Sequence, residues 1–269
     1  MSAPPAEVLA AFGATGEPAL LPGGMGRTWL VGDLVLKPVE DVVEHAWVAE
    51  VYDAWSCEEV RVPQPLRAAD GWSFAGWGAH VLVPGEIAKV GEDPAWFRAA
   101  HDAFHDAVAD LPRPAFLDDR DDAWAYGDRV AWEAWAPRGR PATVTLLERA
   151  LGMLEPLALP AQVVHGDLCV NMLRDGDVPG VIDWPAYHRP RGWSLAVVAT
   201  DAVRWEGVAT SLFDEWDLGA EWPQLLLRAV VYRLATRAWF EWAGSATGDE
   251  DGYSLGAEAV LDVIGERLR

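Results

Sequence analysis

Two aspartates lie sixteen positions apart, Asp167 and Asp183, and each closes an apolar, strand-like run: Gln162-Val163-Val164-His165-Gly166-Asp167, then Gly180-Val181-Ile182-Asp183-Trp184. Carboxylates at the ends of buried strands need a partner, because an unpaired buried charge is costly. Asn171 follows the first run closely, and the second run is reached through a turn at Asp175-Gly176-Asp177. An aspartate with an asparagine shortly after it can pair a base for a hydroxyl with an oxygen ligand for Mg²⁺. Asp183 then supplies the second carboxylate that a nucleotide-bound metal needs. A surface turn stabilised by an Asx motif is the bland alternative, and the second carboxylate at this spacing argues against it.

The rest of the pattern divides the chain. A short helix is expected over residues 6–12, then strands at 20–21, 28–31 and 34–37, with Gly32-Asp33 as a hairpin turn. Asp41 is placed to cap a helix running to about Ser56. Further strands are expected at 62–68, 72–75 and 78–83, and Pro84-Gly85 marks a break. Beyond it the periodicity is helical over 94–111, 121–136, 142–157, 193–205, 222–243 and 258–268. The expected architecture is α+β, with a small antiparallel-sheet lobe at 1–84 and a mainly helical lobe at 85–269.

Two features of the first lobe join the chemistry. Pro22-Gly23-Gly24-Met25-Gly26 lies between expected strands, where missing side chains let backbone N–H groups approach phosphate oxygens. Alone it is a weak signal, since a tight hairpin reads the same way. Lys37 closes the third strand, and Glu50 lies thirteen positions later on the capped helix. A lysine held by a helix carboxylate can present a fixed charge to nucleotide phosphates. Glu44 is the competing partner for Lys37.

Composition narrows the partners. With 42 acidic residues against 21 basic, the net charge is −21, a field that repels nucleic acid and anionic lipid and attracts cations. A small-molecule acceptor of cationic character fits that field, and so does an acidic surface that only maintains solubility. The longest apolar runs fall short of the roughly 20 residues needed to span a bilayer. The first residues lack the pattern of a secretory signal, and two cysteines without CxxC spacing suit a reducing compartment. A cytoplasmic monomer without nucleic-acid or membrane partners is the expectation.

The series His165-Gly166-Asp167-Leu168-x-x-Asn171 followed by Val181-Ile182-Asp183-Trp184 resembles the aminoglycoside phosphotransferase and choline kinase relatives of protein kinases. The likeness extends over most of the chain, in the order glycine turn, Val35-Leu36-Lys37, acidic helix, Leu82-Val83-Pro84-Gly85 connector, catalytic loop and metal strand. It implies the protein-kinase-like fold, ATP or GTP as phosphoryl donor and Mg²⁺ as cofactor. It assigns Asp167 as the base, Asn171 and Asp183 as metal ligands, and Lys37 with Glu50 as the phosphate-holding pair. Gly23, Gly24 and Gly26 would cover the phosphates, and the backbones of Val81 and Val83 would hydrogen-bond the base. The acceptor region would include Trp205, Glu206, Asp214, Glu215 and Asp217. LPGGxGRTW, LVLKPVED and HRPRGW further resemble an uncharacterised bacterial branch.

Two departures from the family pattern stand out. Asn171 is four positions after Asp167 where the family commonly has five, and Ser194 occupies the place of an aspartate that usually braces the catalytic loop. They motivate a competing reading: a catalytically silent nucleotide- or ligand-binding module of the same fold. An oxidoreductase built on Gly24 and Gly26 lacks the third glycine of a dinucleotide fingerprint. His101 and His105 share the i, i+4 spacing of zinc proteases but lack the intervening glutamate, so they are not expected to bind metal.

Overall fold

The computed structural model describes residues 2–22, 26–245 and 250–269. Its backbone contacts divide the chain into two units, one made of Met1–Ile87 with Asn171–Trp184, the other of Ala88–Val170 with Pro185–Arg269. The expected break after residue 84 therefore falls close to the first crossing, at Ile87. Residues 171–184, assigned from sequence to the helical lobe, pack with the N-terminal unit instead.

In chain order the first unit carries α1 (Ala6–Ala11), β1 (Ala19–Leu20), β2 (Trp29–Val31), β3 (Leu34–Pro38), α2 (Val42–Asp53), β4 (Ser73–Phe74), β5 (Trp77–Val81) and β6 (Glu86–Ile87). The second unit begins with α3 (Pro94–Ala107), α4 (Ala123–Glu133), α5 (Pro141–Leu151) and β7 (Gln162–His165). The chain then returns to the first unit for β8 (Met172–Arg174) and β9 (Gly180–Val181). It completes the second with β10 (Ala186–Arg189), α6 (Arg191–Asp201), a π-helical turn at Ala202–Glu206, α7 (Leu212–Glu215), α8 (Trp222–Trp242) and α9 (Glu250–Arg267).

The main sheet is antiparallel, ordered β1-β2-β3-β5-β4. The turn between β2 and β3 pairs Val31 with Leu34 and sets Gly32 at φ 66°. A Cβ there would also lie 2.9 Å from the Thr15 carbonyl oxygen, so glycine is required twice over. Asp41 caps α2 as expected, accepting from the N–H groups of Val43 at 2.8 Å and Glu44 at 3.0 Å. Val8, Phe12, Val31, Leu34, Leu36, Trp77 and Ala79 form the core beneath α1. A second sheet, β6-β8-β9, joins residues 171–184 to the rest of the first unit.

The strand expected at 62–68 does not form. Pro63 and Pro65 lack the N–H donors of a ladder, and the segment makes only isolated bridges, such as Pro65 to His80. In the second unit α8 is buried around most of its circumference and packs with α4, α5, α6 and α9. β10, which the sequence did not signal, pairs antiparallel with β7, Ala186 opposite His165. The helix expected to run through 193–205 changes to π geometry after Asp201.

Candidate active site

The sequence-derived residues fall into two groups, one in each unit. In the first unit β3 carries Lys37 to its end, opposite Gly78 of β5. The Lys37 ammonium is ion-paired with the Asp183 carboxylate. Asp183 has φ 48°, a left-handed backbone that costs energy for a residue with a Cβ. Two contacts hold it there. Ile182 N–H donates to the Asn171 carbonyl at 3.0 Å, and Trp184 is buried against Trp47 and Tyr52 of α2, with ring centroids at 5.4 and 5.8 Å. Trp184, which directly follows Asp183, is thus a packing anchor for the loop.

The expected Lys37–Glu50 pair is not made. Glu50 is exposed, whereas α2 directs His45, Ala49 and Tyr52 inward, at the i, i+4, i+7 spacing of one helical face. His45 covers β5 so closely that a Cβ on Gly78 would lie 2.4 Å from its ring. Its Nε2–H donates to the Trp72 carbonyl at 3.0 Å, and burial lowers its pKa. With this face occupied, the lysine is served by Asp183.

The remaining nucleotide-side candidates are distributed along the same unit. Gly23 and Gly24 lie outside the described residues, and Gly26 has φ 68° with open space around its Cα. Val81 N–H donates to the Gln64 carbonyl at 2.9 Å, which leaves its carbonyl, approached by His80 Nδ1 at 3.0 Å, as the group able to meet a base. Val83 is buried. Asn171 and Asp183 bring one amide oxygen and one carboxylate, the hard donors that Mg²⁺ takes. Among the described residues no group of three or more His, Cys, Asp or Glu side chains could hold an ion by itself. An ion here would take the rest of its shell from water or ligand oxygens.

In the second unit the loop bearing Asp167 is fixed by its neighbours. His165 N–H donates to His105 Nε2 at 3.2 Å, and His105 Nδ1–H donates to the His101 carbonyl at 2.7 Å. Both His105 nitrogens are therefore occupied, which removes the zinc-like pair from consideration. Ser194 Oγ donates to the His165 carbonyl at 2.7 Å, so the serine in the bracing position does contact the loop. Gly166 N–H donates to the Pro185 carbonyl at 3.1 Å, and a Cβ at this glycine would lie 2.2 Å from the Tyr187 ring. Asp167 N–H donates to His165 Nδ1 at 3.0 Å.

The Asp167 carboxylate itself is met by Arg233 of α8, whose Nη2 donates to Oδ1 at 2.5 Å. The same guanidinium donates through Nε to both oxygens of Asp201, at 3.1 and 3.2 Å. Burial pushes the Asp201 carboxyl upward against the pull of Arg233. Sequence reasoning missed both residues. The available signal, shared with Arg228, was a cation among the apolar residues of α8, since arginine is seldom buried unless paired.

Beyond Asp201, the π turn leaves Trp205 exposed, with its ring over the guanidinium of Arg204 at 4.7 Å and that of Arg233 at 5.7 Å. Single π turns recur at functional positions. Glu206 accepts from Gly91 N–H at 3.2 Å and from Cys169 Sγ at 3.4 Å. It lines a cavity of about 420 Å³ with Lys89, Glu92, Val208 and Ala209. Asp214, Glu215 and Asp217 serve structure: they meet Arg267, Ser211 Oγ and Gly219 N–H.

No protein-family model and no curated protein sequence matches this chain. Solved structures do. A choline/ethanolamine kinase family protein from Mesorhizobium loti is 18% identical, with 97% of this chain and 93% of that one covered and a TM-score of 0.62. Choline kinase LicA from Streptococcus pneumoniae is 10% identical, with 97% of both chains covered and a TM-score of 0.65. A thermostable mutant of aminoglycoside phosphotransferase APH(4)-Ia, in ternary complex with ADP and hygromycin B, is 14% identical, with 96% and 97% covered and a TM-score of 0.54. The chain has the protein-kinase-like fold of these phosphotransferases.

Proposed function

We propose that this protein is a Mg²⁺-dependent phosphotransferase that moves the γ-phosphoryl group of ATP or GTP to a hydroxyl of a small, amine-bearing molecule. The observation that carries the reading is the meeting of Lys37 with Asp183, distant in sequence, on a loop held in a strained left-handed conformation. Strain of this kind persists where surrounding structure fixes it, and it clusters at working sites. The fold shared with kinases of choline and aminoglycosides, one of them holding ADP, supports the reading.

Phosphoryl transfer asks a protein mostly for positioning and charge stabilisation. Lys37 would hold the nucleotide phosphates, and the backbones of Val81, Val83 and the glycine turn at Gly23, Gly24 and Gly26 would hold the base and phosphates. Asn171 and Asp183 would hold the magnesium ion, whose charge neutralises phosphate oxygens when bound. Asp167 would accept the hydrogen bond of the acceptor hydroxyl and take its proton as the new O–P bond forms and the bond from the γ-phosphorus to the bridging oxygen breaks. The products are a phosphate monoester and the nucleoside diphosphate. Glu50 has no part in this arrangement unless α2 turns.

The acceptor's amine is argued from charge. Glu206 and Glu92 put two carboxylates against one cation, Lys89, on the 420 Å³ cavity, and Trp205, next in the chain, is exposed, in a protein of net charge −21. The competing silent module is motivated by the four-residue spacing of Asp167 and Asn171. The Ile182–Asn171 hydrogen bond favours the active reading, because it ties the Asn171 segment to that of Asp183 despite the shorter loop. The test is transfer from labelled ATP and GTP to a panel of choline, ethanolamine and aminoglycosides, with wild type beside Asp167→Ala. Transfer lost in a folded Asp167→Ala supports the assignment, and wild-type transfer in that variant sinks it.

A further inference from the structure

We propose that Arg233, fixed by Asp201, is a positioning residue that sets the orientation of the Asp167 carboxylate. The inference rests on the phosphotransfer reading above and names a part of it that no sequence motif marks.

His105, Ser194 and Pro185 bind main-chain groups of His165 and Gly166, and His165 Nδ1 binds the N–H of Asp167. These contacts fix where the Cα of Asp167 lies. Arg233 acts on the side chain itself: Nη2 donates to Oδ1 at 2.5 Å, a charge-assisted bond that fixes where this oxygen points.

Arg233 is itself immobile for identifiable reasons. It projects from the middle of α8 and is 6% exposed. Its Nε and Nη2 form a fork on Asp201 of α6, which is 1% exposed. The Tyr232 ring lies 5.1 Å from the guanidinium, and the Trp205 ring covers it at 5.7 Å. A planar, permanently charged fork loses little freedom per bond formed, unlike a lysine on a flexible stem.

An ordinary buried ion pair joining α6 to α8 is the plain alternative. Such a pair uses Nε and one Nη2–H on Asp201, and the remaining donors of the guanidinium need an acceptor that any neutral oxygen could supply. Here a second carboxylate sits at the end of a catalytic-type loop and is one-third exposed at its side chain. The buried pair thus reaches outward to one partly exposed oxygen. That is the arrangement expected of a support for a working side chain, in which first contacts are held by a rigid second layer.

The experiment compares wild type, Arg233→Lys, the double variant Asp201→Leu/Arg233→Met, and Asp167→Ala, each as the full chain. Removing both buried charges together spares the core an unpaired ion, so the double variant can fold where a single truncation fails. Turnover of Mg-ATP and Mg-GTP with water as acceptor is followed by phosphate release. The expected result is a kcat lowered on the order of 100-fold in the double variant, the scale of a misplaced catalytic group, with nucleotide KM within about twofold and partial rescue in Arg233→Lys. An unchanged kcat in the double variant, with turnover lost in Asp167→Ala, overturns the positioning role while sparing the base. Unchanged turnover in Asp167→Ala overturns both. Crystal structures supply a readout independent of activity. Several Asp167 rotamers on an unmoved main chain in the double variant support the proposal, and a single wild-type rotamer overturns it.

Discussion

Lys37 on β3 is paired with Asp183, 146 positions further along the chain, and not with a carboxylate of α2. The inward face of that helix is given to His45, Ala49 and Tyr52, and the aromatic contacts of Trp184 hold the Asp183 loop where the lysine can reach it. The cation and one proposed metal ligand are therefore held on one unit, by the packing of one tryptophan.

This pairing makes a prediction that separates binding from stability. The side chains of Lys37 and Asp183 are 33% and 60% exposed, and exposed ion pairs contribute about 0–1 kcal/mol. Lys37→Met should leave the urea midpoint almost unchanged while weakening Mg-nucleotide binding by at least tenfold in a calorimetric titration. Equal affinity in wild type and variant would remove Lys37 from the phosphate-holding role.

Gly166 makes a steric prediction. A Cβ there would meet the Tyr187 ring at 2.2 Å, and Tyr187 is 2% exposed, with Trp193 and Tyr232 against it. Gly166→Ala should cost about 1–3 kcal/mol, the usual range for overpacking a core, read as a shift in the urea midpoint. Gly176→Ala is a poor control because its φ is 70°, whereas Gly256→Ala, inside α9 with nothing within 4 Å of the added Cβ, should stabilise by up to about 1 kcal/mol.

Burial of His101 and His105 makes a pH prediction. Both imidazoles are held below their ordinary value of 6.5, chiefly by burial. The unfolded chain then binds more protons than the folded one below pH 6.5, so stability is present above that value and lost as pH falls through and below it. His101→Leu should show a shallower loss of stability between pH 7 and 5 than wild type in paired urea titrations. An identical slope would mean that His101 does not titrate on unfolding.

Much of the fold was legible in the sequence, because short-range chemistry decided it. Asp41 before an apolar run, Gly32 between two strands, and the helical periodicity of α3 and α8 each led to the observed element. What escaped depends on long-range packing. Residues 62–68 read as a strand until Pro63 and Pro65 are counted as missing donors. β10 forms because His165 and its neighbours present an edge for pairing, which no local pattern encodes.

The candidate site divides in the same way. Asp167, Asn171 and Asp183 can be proposed from the sequence because their spacing along the chain is the motif. The Lys37–Glu50 pairing was not found, since one residue of helix turns a side chain by about 100° and Glu50 lies outside the inward face. Arg233 and Asp201 were invisible because their partnership spans two helices 32 positions apart. Only the oddity of an arginine inside α8 hinted at a buried partner.

Thermal unfolding with ATP, GTP and NAD, each with and without Mg²⁺, on wild type and Asp183→Ala reads Mg-nucleotide binding at the proposed site. A ligand at about 100 times its dissociation constant adds roughly 2.7 kcal/mol to the folded state. Tm should rise with ATP or GTP only when Mg²⁺ is present, the rise should disappear in Asp183→Ala, and NAD should have no effect. The absence of any rise with a nucleoside triphosphate, or a rise indifferent to Mg²⁺ and to Asp183, would contradict the proposed site.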